Sequence, residues 1–367
     1  MISFWERVSL LQADVVIVGA GITGLSVAAS LKEKQPSLRI LVLERSVLPY
    51  GASTRNAGFA CFGSLSEIAS DIDGMGEEAA RDLLFERWMG LQITRKRLTD
   101  KAIGYEDAGG FELVTEAQRS AMERLEQVNR LVDDFLPGYI SDVSTLKKDM
   151  GLHAEGNLFS MAQEGQVHTG ELMASLESYV ASLGIIVRTG AEVLHVASDK
   201  VEVRDSQRGS FEVRAGKVVV CTNAFARDLI QAEVEPGRGQ VFITKPIRGL
   251  KFKGNLHVDE GFYYLRNVGD RILFGGARNQ FFEQERTHNF NVTDEVQLHL
   301  ELELKRLFGP DLAWEVDQRW SGIMAFGKQK LPIVQRLDNG VFVALKMSGM
   351  GIALAGFIGE EVAEMIN

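Results

Sequence analysis

Apolar residues arrive in short runs, and the spacing within the runs changes from stretch to stretch. Residues 15–18 form an apolar run ending at Gly19, residues 24–34 carry apolar positions at helical spacing, and residues 40–44 form a second run. That order predicts strand, helix, strand, the opening of a βαβ unit. Residues 78–102 and 117–135 predict charged amphipathic helices, and "GYEDAGGFELVTE" between them predicts a hairpin. A helix over 170–183 and strands over 185–189 and 193–197 follow. "KVVVCTNAFA" then predicts a buried strand ending at a turn of small residues. From Gly239 onward, "QVFITKPI", "GFYYLRN" and "RILFGGAR" alternate with the period of antiparallel strands, interrupted by a helix over Asp294–Phe308. The chain closes as it opened, with a strand over 341–345, the turn "KMSGMG" and a helix over 352–365.

Composition narrows the classes. At 367 residues, with 45% hydrophobic and 25% charged residues, the chain has the balance of a globular enzyme with room for two domains. No apolar run approaches the roughly 18 residues of a membrane span. The opening "MISFWERVSLLQ" lacks the long apolar core of a secretory signal and is expected to form a short helix beside the first strand. These features point to a cytoplasmic protein. A net charge of −10 argues against nucleic acid as a partner. Cys61 and Cys221 are too few for a disulfide scaffold and are expected as reduced thiols. The six histidines show neither HxxxH nor HExxH spacing, so no metal centre is expected.

Gly19, Gly21 and Gly24 form GxGxxG between the first strand and the first helix, with Ile22 and Thr23 inside the motif. The first glycine permits a tight turn, the second lets the backbone approach a pyrophosphate, and the third allows close helix–strand packing. Glu44 lies 20 residues after Gly24, where an acid hydrogen-bonds a ribose hydroxyl. Motif, context and acid together predict an ADP-containing dinucleotide, leaving FAD and NAD both open. The expected fold class is α/β. A Rossmann-type dinucleotide domain is assembled from discontinuous segments (1–80, 151–232 and 320–367). Inserted into it is an α+β substrate domain (81–150 and 233–319) containing an antiparallel sheet.

The next loop, "GASTRNAGFACFGS", is rich in small residues where an NAD domain would continue with another βαβ unit. From here the chain resembles the D-amino-acid-oxidase-like family of FAD-dependent oxidoreductases, the group that includes glycine oxidase and sarcosine oxidase. The resemblance spans almost the whole chain. It rests on "VVIVGAGITGLSVA", Glu44-Arg45, "GASTRNAG", "GQVHTGELMASLESYVASLGIIVRTGAEV", "VVVCTNAFA", "GRGQV" and "SGMGIALAGFIGEEVAEMI". It implies FAD, with Ser53, Arg55, Asn56, Ala57 and Gly58 running beside the pyrophosphate and isoalloxazine. It also implies Val193 at the adenine, Thr222, Asn223 and Ala224 closing the cofactor site, and the turn of Ser348, Gly349, Met350, Gly351 and Ile352 at the flavin's pyrimidine side. The N-terminus of the last helix would there stabilise negative charge, with Lys346 nearby. Covalent members of the family carry their attachment cysteine in the C-terminal part, where this chain has none, so FAD is expected to be non-covalent.

With no second dinucleotide module, the expected reaction takes hydride from the C–H next to nitrogen of an amine or amino acid onto flavin N5. The imine is released and hydrolysed, and oxygen, a quinone or a carrier protein accepts the electrons. No catalytic side chain is identified. The family reads substrate carboxylates with an arginine in a segment like "WxGLRP"; here the stretch is "WSGIMAFGKQKLPIV", and Met324 stands in the arginine's place. A thioether cannot pair with a carboxylate. Arg278 and Arg266 are the candidates to supply that charge, and Tyr263 matches a family tyrosine of the substrate pocket. Trp320 and Phe326 are candidate pocket walls, and His168 reads as a packing or capping residue. A hydroxy-acid or polyol dehydrogenase, and a flavin-bearing accessory subunit without substrate chemistry, remain alternatives.

Overall fold

Two eight-stranded sheets organise the molecule, seen here in a computed structural model that describes residues 1–205, 207 and 209–367. The first is built on the expected opening: β1 (Gln12–Val18), α1 (Ile22–Lys34) and β2 (Ile40–Leu43). β1 lies parallel between β2 and the strand Gly209–Val220. Outward lie Ile186–Arg188 beyond β2, and Phe342–Leu345 and Ile333–Arg336 on the other side. All four residues of β2 are buried, as a strand covered on both faces requires. Helices α1, Glu77–Leu98 and Gly351–Ile366 cover one face of this sheet.

The second sheet runs in the order Val316–Phe326, Glu235–Thr244, Arg271–Gly276, Tyr263–Val268, Asn255–Val258, Gly110–Val114, Asn157–Met161 and Ile140–Asp142. It is antiparallel except between Asn255–Val258 and Gly110–Val114. Helix Asp294–Phe308 covers one face, packing Val296, Leu300, Leu304 and Leu307 against Phe242, Leu265 and Phe274. The chain passes from one sheet to the other and back twice, so each sheet is assembled from separated segments, as the repeated strand–turn–helix pattern implied.

Three local expectations are corrected. The stretch 104–116 is no hairpin: Gly110–Val114 pairs with Asn157–Met161 and Asn255–Val258, both distant in sequence. Residues 117–135 do not form one helix, because the chain breaks between Arg119–Met122 and Leu125–Val132. The third is corrected only in part: the short helix before β1 forms over Glu6–Leu10 and its Arg7 carbonyl accepts Gln12 Nε2–H at 3.0 Å, but it buries none of its residues, and Phe4 and Trp5 stand exposed.

Candidate functional site

Parallel pairing of Val18 with Leu43 brings the turn after β1 and the acid after β2 to the same edge of the first sheet. Gly19 turns there with φ 102°, a conformation that side chains disfavour. A Cβ on Gly24 would lie 2.0 Å from the Gly19 carbonyl oxygen, so α1 can seat on the turn only without one. A Cβ on Gly21 would lie 2.9 Å from Ser53 Oγ. That hydroxyl accepts the Ile22 N–H at 2.9 Å, meeting one donor at the start of α1. Gly21 offers no side-chain cap and the first turn holds no acid, which leaves the positive end of the helix open to an anion. Thr23, in that first turn, is buried.

The Glu44 carboxylate is 7% exposed and accepts Ala20 N–H at 3.1 Å and Ser46 N–H at 3.0 Å. Each oxygen keeps a lone pair. Ala191 N–H donates to the Glu44 carbonyl at 2.8 Å, which brings the buried Val193 close by. Thr222 lies beside Gly19, and its buried Oγ1 has no hydrogen-bond partner. Ala224 is buried, and Asn223 takes φ 50°. The Arg45 guanidinium lies 4.1 Å over the Phe225 ring; that of Arg55 lies 4.4 Å over Tyr50 and 5.0 Å over Phe290. Among the described residues neither arginine pairs with a carboxylate.

The 53–58 segment is held open by its own polar groups. Asn56 donates to the Ser53 carbonyl at 2.9 Å and accepts Gly58 N–H and Thr169 Oγ1–H, each at 2.8 Å. Arg266 reaches across from the second sheet, and its Nη1 donates to the carbonyls of Val167 at 2.7 Å, Gly58 at 3.1 Å and Ala57 at 3.3 Å. Burial lowers its pKa to about 10. Arg266 thus clamps the segment to the sheet, which commits part of its guanidinium to backbone. Trp320 Nε1–H donates to the Arg55 carbonyl at 3.0 Å, and Arg55 Nη1 donates to the Ser321 carbonyl at 3.0 Å.

The C-terminal turn closes the other side. Lys346, Ser348 and Gly349 all take positive φ (63°, 48° and 89°), and Lys346 N–H donates to Asn223 Oδ1 at 3.0 Å. Burial lowers the pKa of the Lys346 ammonium. Helix Gly351–Ile366 starts after Met350 with no side-chain cap and no acid in its first turn. A Cβ on Gly351 would touch Ile22 Cγ2 at 3.5 Å, so the positive ends of this helix and α1 meet. Ile352 is buried.

Along Val316–Phe326, Trp320, Gly322, Met324 and Phe326 share the face turned toward these segments. A Cβ on Gly322 would meet Arg55 Cβ at 3.2 Å, and Met324 Sδ lies 3.6 Å from where Gly349 would carry one. Tyr263 is not on this face. Its ring stacks on Phe274, and its hydroxyl bonds His299 Nε2 at 2.8 Å beneath helix Asp294–Phe308. Tyr264 faces the 53–60 segment instead, with its ring 5.9 Å from that of Phe59 and its hydroxyl 3.4 Å from the Cβ position of Gly239. The expectation of Tyr263 in the substrate pocket is therefore corrected: successive strand side chains point to opposite faces, and it is Tyr264 that shares a face with Phe59 and Gly239. Arg278 lies 3.7 Å over Phe326 and 4.8 Å over Phe282, with no hydrogen bond or ion pair among the described residues. Burial lowers its pKa.

Sequence reading missed a buried polar network behind Phe59–Ala60. Glu164, fully buried, accepts Phe62 N–H at 2.7 Å, Gly63 N–H at 3.3 Å and Tyr139 Oη–H at 2.7 Å. His257 Nε2 faces its other oxygen at 3.8 Å, beyond hydrogen-bonding reach. Burial alone would lower the His257 pKa, yet the Glu164 carboxylate, with Glu67 and Glu112, carries it above its ordinary value. Cys61 lies inside this shell, where burial and then Glu164 push its thiol well up. Both cysteines are free and buried. The network's members lie on separate loops and on strands distant in sequence, and only pairing of those strands assembles them. His168 Nδ1 accepts Glu171 N–H at 3.1 Å, the capping role expected of it.

The residues present fit a dinucleotide: a glycine cradle that any Cβ would fill, two helix N-termini with free N–H groups, a ribose-side acid and, among the described residues, an orphaned Thr222 hydroxyl and two arginines without acid partners. No group of His, Cys, Asp or Glu among the described residues could hold a metal ion. The chain matches the family model for FAD dependent oxidoreductases (DAO) over residues 14–365. It is 24% identical to the gamma-glutamylputrescine oxidoreductase of Escherichia coli, over 97% of this chain and 84% of that protein. The crystal structure of L-proline dehydrogenase from P. horikoshii superposes with a TM-score of 0.78 at 17% identity, covering 97% of this chain and 93% of that one. Glycine oxidase from Geobacillus kaustophilus gives 0.76 at 21%, covering 96% and 95%. With a glycine turn and two helix N-termini gathered on one sheet, a second, largely antiparallel sheet tied to it through Arg266 and Trp320, and a family match running from β1 to the last helix, this chain belongs to the DAO family and is an FAD-dependent oxidoreductase.

Proposed function

We propose that the chain oxidises a small amine or amino acid at the C–H next to nitrogen, using FAD bound without a covalent link. When bound, FAD supplies at N5 the acceptor for the departing hydride. In this reading the starts of α1 (Gly19, Gly21, Ile22, Thr23, Gly24) and Arg45 and Arg55 receive the pyrophosphate side. Glu44 takes the ribose, Val193 the adenine, and Thr222, Asn223 and Ala224 the near wall. Ser53, Asn56, Ala57 and Gly58 run alongside, and the turn Ser348–Ile352 meets the negative pyrimidine edge. Segments 1–80, 151–232 and 320–367 form the cofactor side, and 81–150 and 233–319 the substrate side, except that helix Glu77–Leu98 packs on the first sheet with Gly351–Ile366 and so goes with the cofactor side. Strands Asn157–Met161 and Val316–Phe326, which hydrogen-bond into the second sheet, are shared between them.

The single observation that carries the substrate assignment is Arg278, a half-buried cation held between the rings of Phe282 and Phe326 with no acid partner among the described residues, Phe326 lying two strand positions beyond Met324 on the same strand face. It supplies the carboxylate-pairing charge that Met324 cannot, while Arg266 acts as a clamp. The named activities of the similar proteins concern glycine, L-proline and gamma-glutamylputrescine, all nitrogen-bearing small molecules, which agrees with this class. The imine product leaves for hydrolysis in water; the chain need only admit its substrate as the neutral amine. Oxygen, a quinone or a carrier protein takes the electrons. No helix among the described residues is long and apolar enough to cross a membrane.

The test is anaerobic flavin bleaching with matched pairs: glycine and methylamine, sarcosine and dimethylamine, proline and pyrrolidine, with hydroxy acids alongside. Bleaching by nitrogen compounds only is expected. Arg278→Met should raise KM for the carboxylated member about 10- to 100-fold, the size of a lost charged hydrogen bond, and leave its partner nearly unchanged. An equal effect on both removes Arg278 from the site. Bleaching by hydroxy acids alone makes the chain a hydroxy-acid dehydrogenase, and bleaching by none makes it an accessory flavoprotein.

A further inference from the structure

Residues 286–293 leave the second sheet between the short helix Phe282–Glu285 and helix Asp294–Phe308, and cross to the nucleotide side. Both ends are fixed in buried polar contacts. At one end Arg238 holds Glu285 through Nε at 2.9 Å and Nη2 at 2.6 Å, and its Nη1 donates to the Asn291 carbonyl at 2.6 Å. At the other, Thr293 N–H donates to Gln240 Oε1 at 2.9 Å. Between these anchors, His288 bonds the Ala224 carbonyl through Nε2 at 3.0 Å and stacks on Phe225, centroids 5.1 Å apart. Phe290 packs on Tyr50 at 4.4 Å and lies parallel to Phe225 at 6.4 Å, while Ser321 Oγ–H holds its carbonyl at 2.6 Å.

The aromatic row has a direction. It begins where Arg45, next to the ribose-side Glu44, lies on Phe225, and it ends where Arg55 lies on Tyr50 and Phe290. These two arginines bracket the dinucleotide seat, and the segment between them is bridged by His288 and Phe290. We propose that 286–293 is a strap that closes over the ADP portion of FAD, with Phe290 and His288 as the residues that retain a cofactor not bonded to the chain. The proposal rests on the FAD reading. Its physical basis is that His288 and Phe290 fasten the segment to Ala224, Phe225 and Tyr50 beside that seat, and these contacts must separate before a cofactor held under the segment can leave.

The experiment measures FAD release from the holoenzyme as the rise of free-flavin fluorescence after dilution. Phe290→Ala and His288→Ala are expected to lose FAD about tenfold faster than the parent, the scale of one lost aromatic pair with its contacts, and Phe290→Tyr to behave as the parent. Leu298→Ala, exposed on the neighbouring helix, serves as the unaffected control. Parent-like release from both alanine variants overturns the strap. Should either variant fail to fold, trypsin decides on the unaltered protein: FAD is expected to slow cleavage after the exposed Arg286, and equal cleavage with and without FAD overturns the proposal. A parent protein that takes up no FAD would defeat the FAD reading itself, an outcome distinct from either.

Discussion

Replacing Gly24 by alanine tests the nucleotide turn most directly. The new methyl would sit 2.0 Å from the Gly19 carbonyl oxygen, 3.1 Å from the Gly19 carbonyl carbon and 3.4 Å from Cys221 Cβ. A comfortable carbon–oxygen contact needs about 3.3–3.6 Å, so helix and turn must part by about 1.3 Å or more. Overpacking of this kind costs about 1–3 kcal/mol, and the upper end applies because the obstacle is backbone. Alanine's better helix propensity returns up to about 1 kcal/mol, leaving a net loss of about 2–3 kcal/mol. The larger effect falls on the cofactor. Drawing the first-turn N–H groups off the phosphates removes at least one charged hydrogen bond, about 1.5–3 kcal/mol, or about 10- to 100-fold in Kd. The assay is titration of apoprotein with FAD by fluorescence quenching, alongside thermal unfolding. Gly51→Ala is the control, since nothing lies within 4 Å of its Cβ position and its φ of −138° suits any residue. A Gly24→Ala protein with parental FAD affinity and melting temperature would refute the reasoning.

Two further outcomes follow from buried charge. Glu285→Gln strands the Arg238 guanidinium, whose side chain is 4% exposed, and should cost about 3–5 kcal/mol in urea unfolding; a loss under about 1 kcal/mol would contradict this. Glu86, whose pKa is raised to about 7 by burial and then by Glu361 and Asp82, binds its proton more tightly folded than unfolded. It therefore lowers stability as pH climbs from about 4.5 to 7, so Glu86→Gln should raise Tm at pH 8 and change it little at pH 4. Equal shifts at both pH values would count against it.

Periodicity alone was sufficient for the nucleotide half. β1, α1 and β2 are contiguous, their side-chain pattern is one-dimensional, and GxGxxG reports a local steric need that Gly19 and Gly24 confirm. Helix Asp294–Phe308 was legible for the same reason. What failed were features decided by partners far away. The 104–116 stretch has a turn-like composition, yet its strand pairs with residues about 45 and 145 positions onward, and the tertiary sheet overrides the local hairpin.

The same division governs the site. Sequence alone pointed to a dinucleotide seat at the first helix, because the glycines, the acid and the small-residue segment follow one another within some forty residues. Only the tertiary structure decided which of two adjacent tyrosines faces the cleft, that Arg266 clamps backbone while Arg278 stays unpaired, and that Glu164 and His257 meet behind Phe59. Those outcomes depend on strand parity and on which distant strand lies alongside, quantities a linear pattern does not contain.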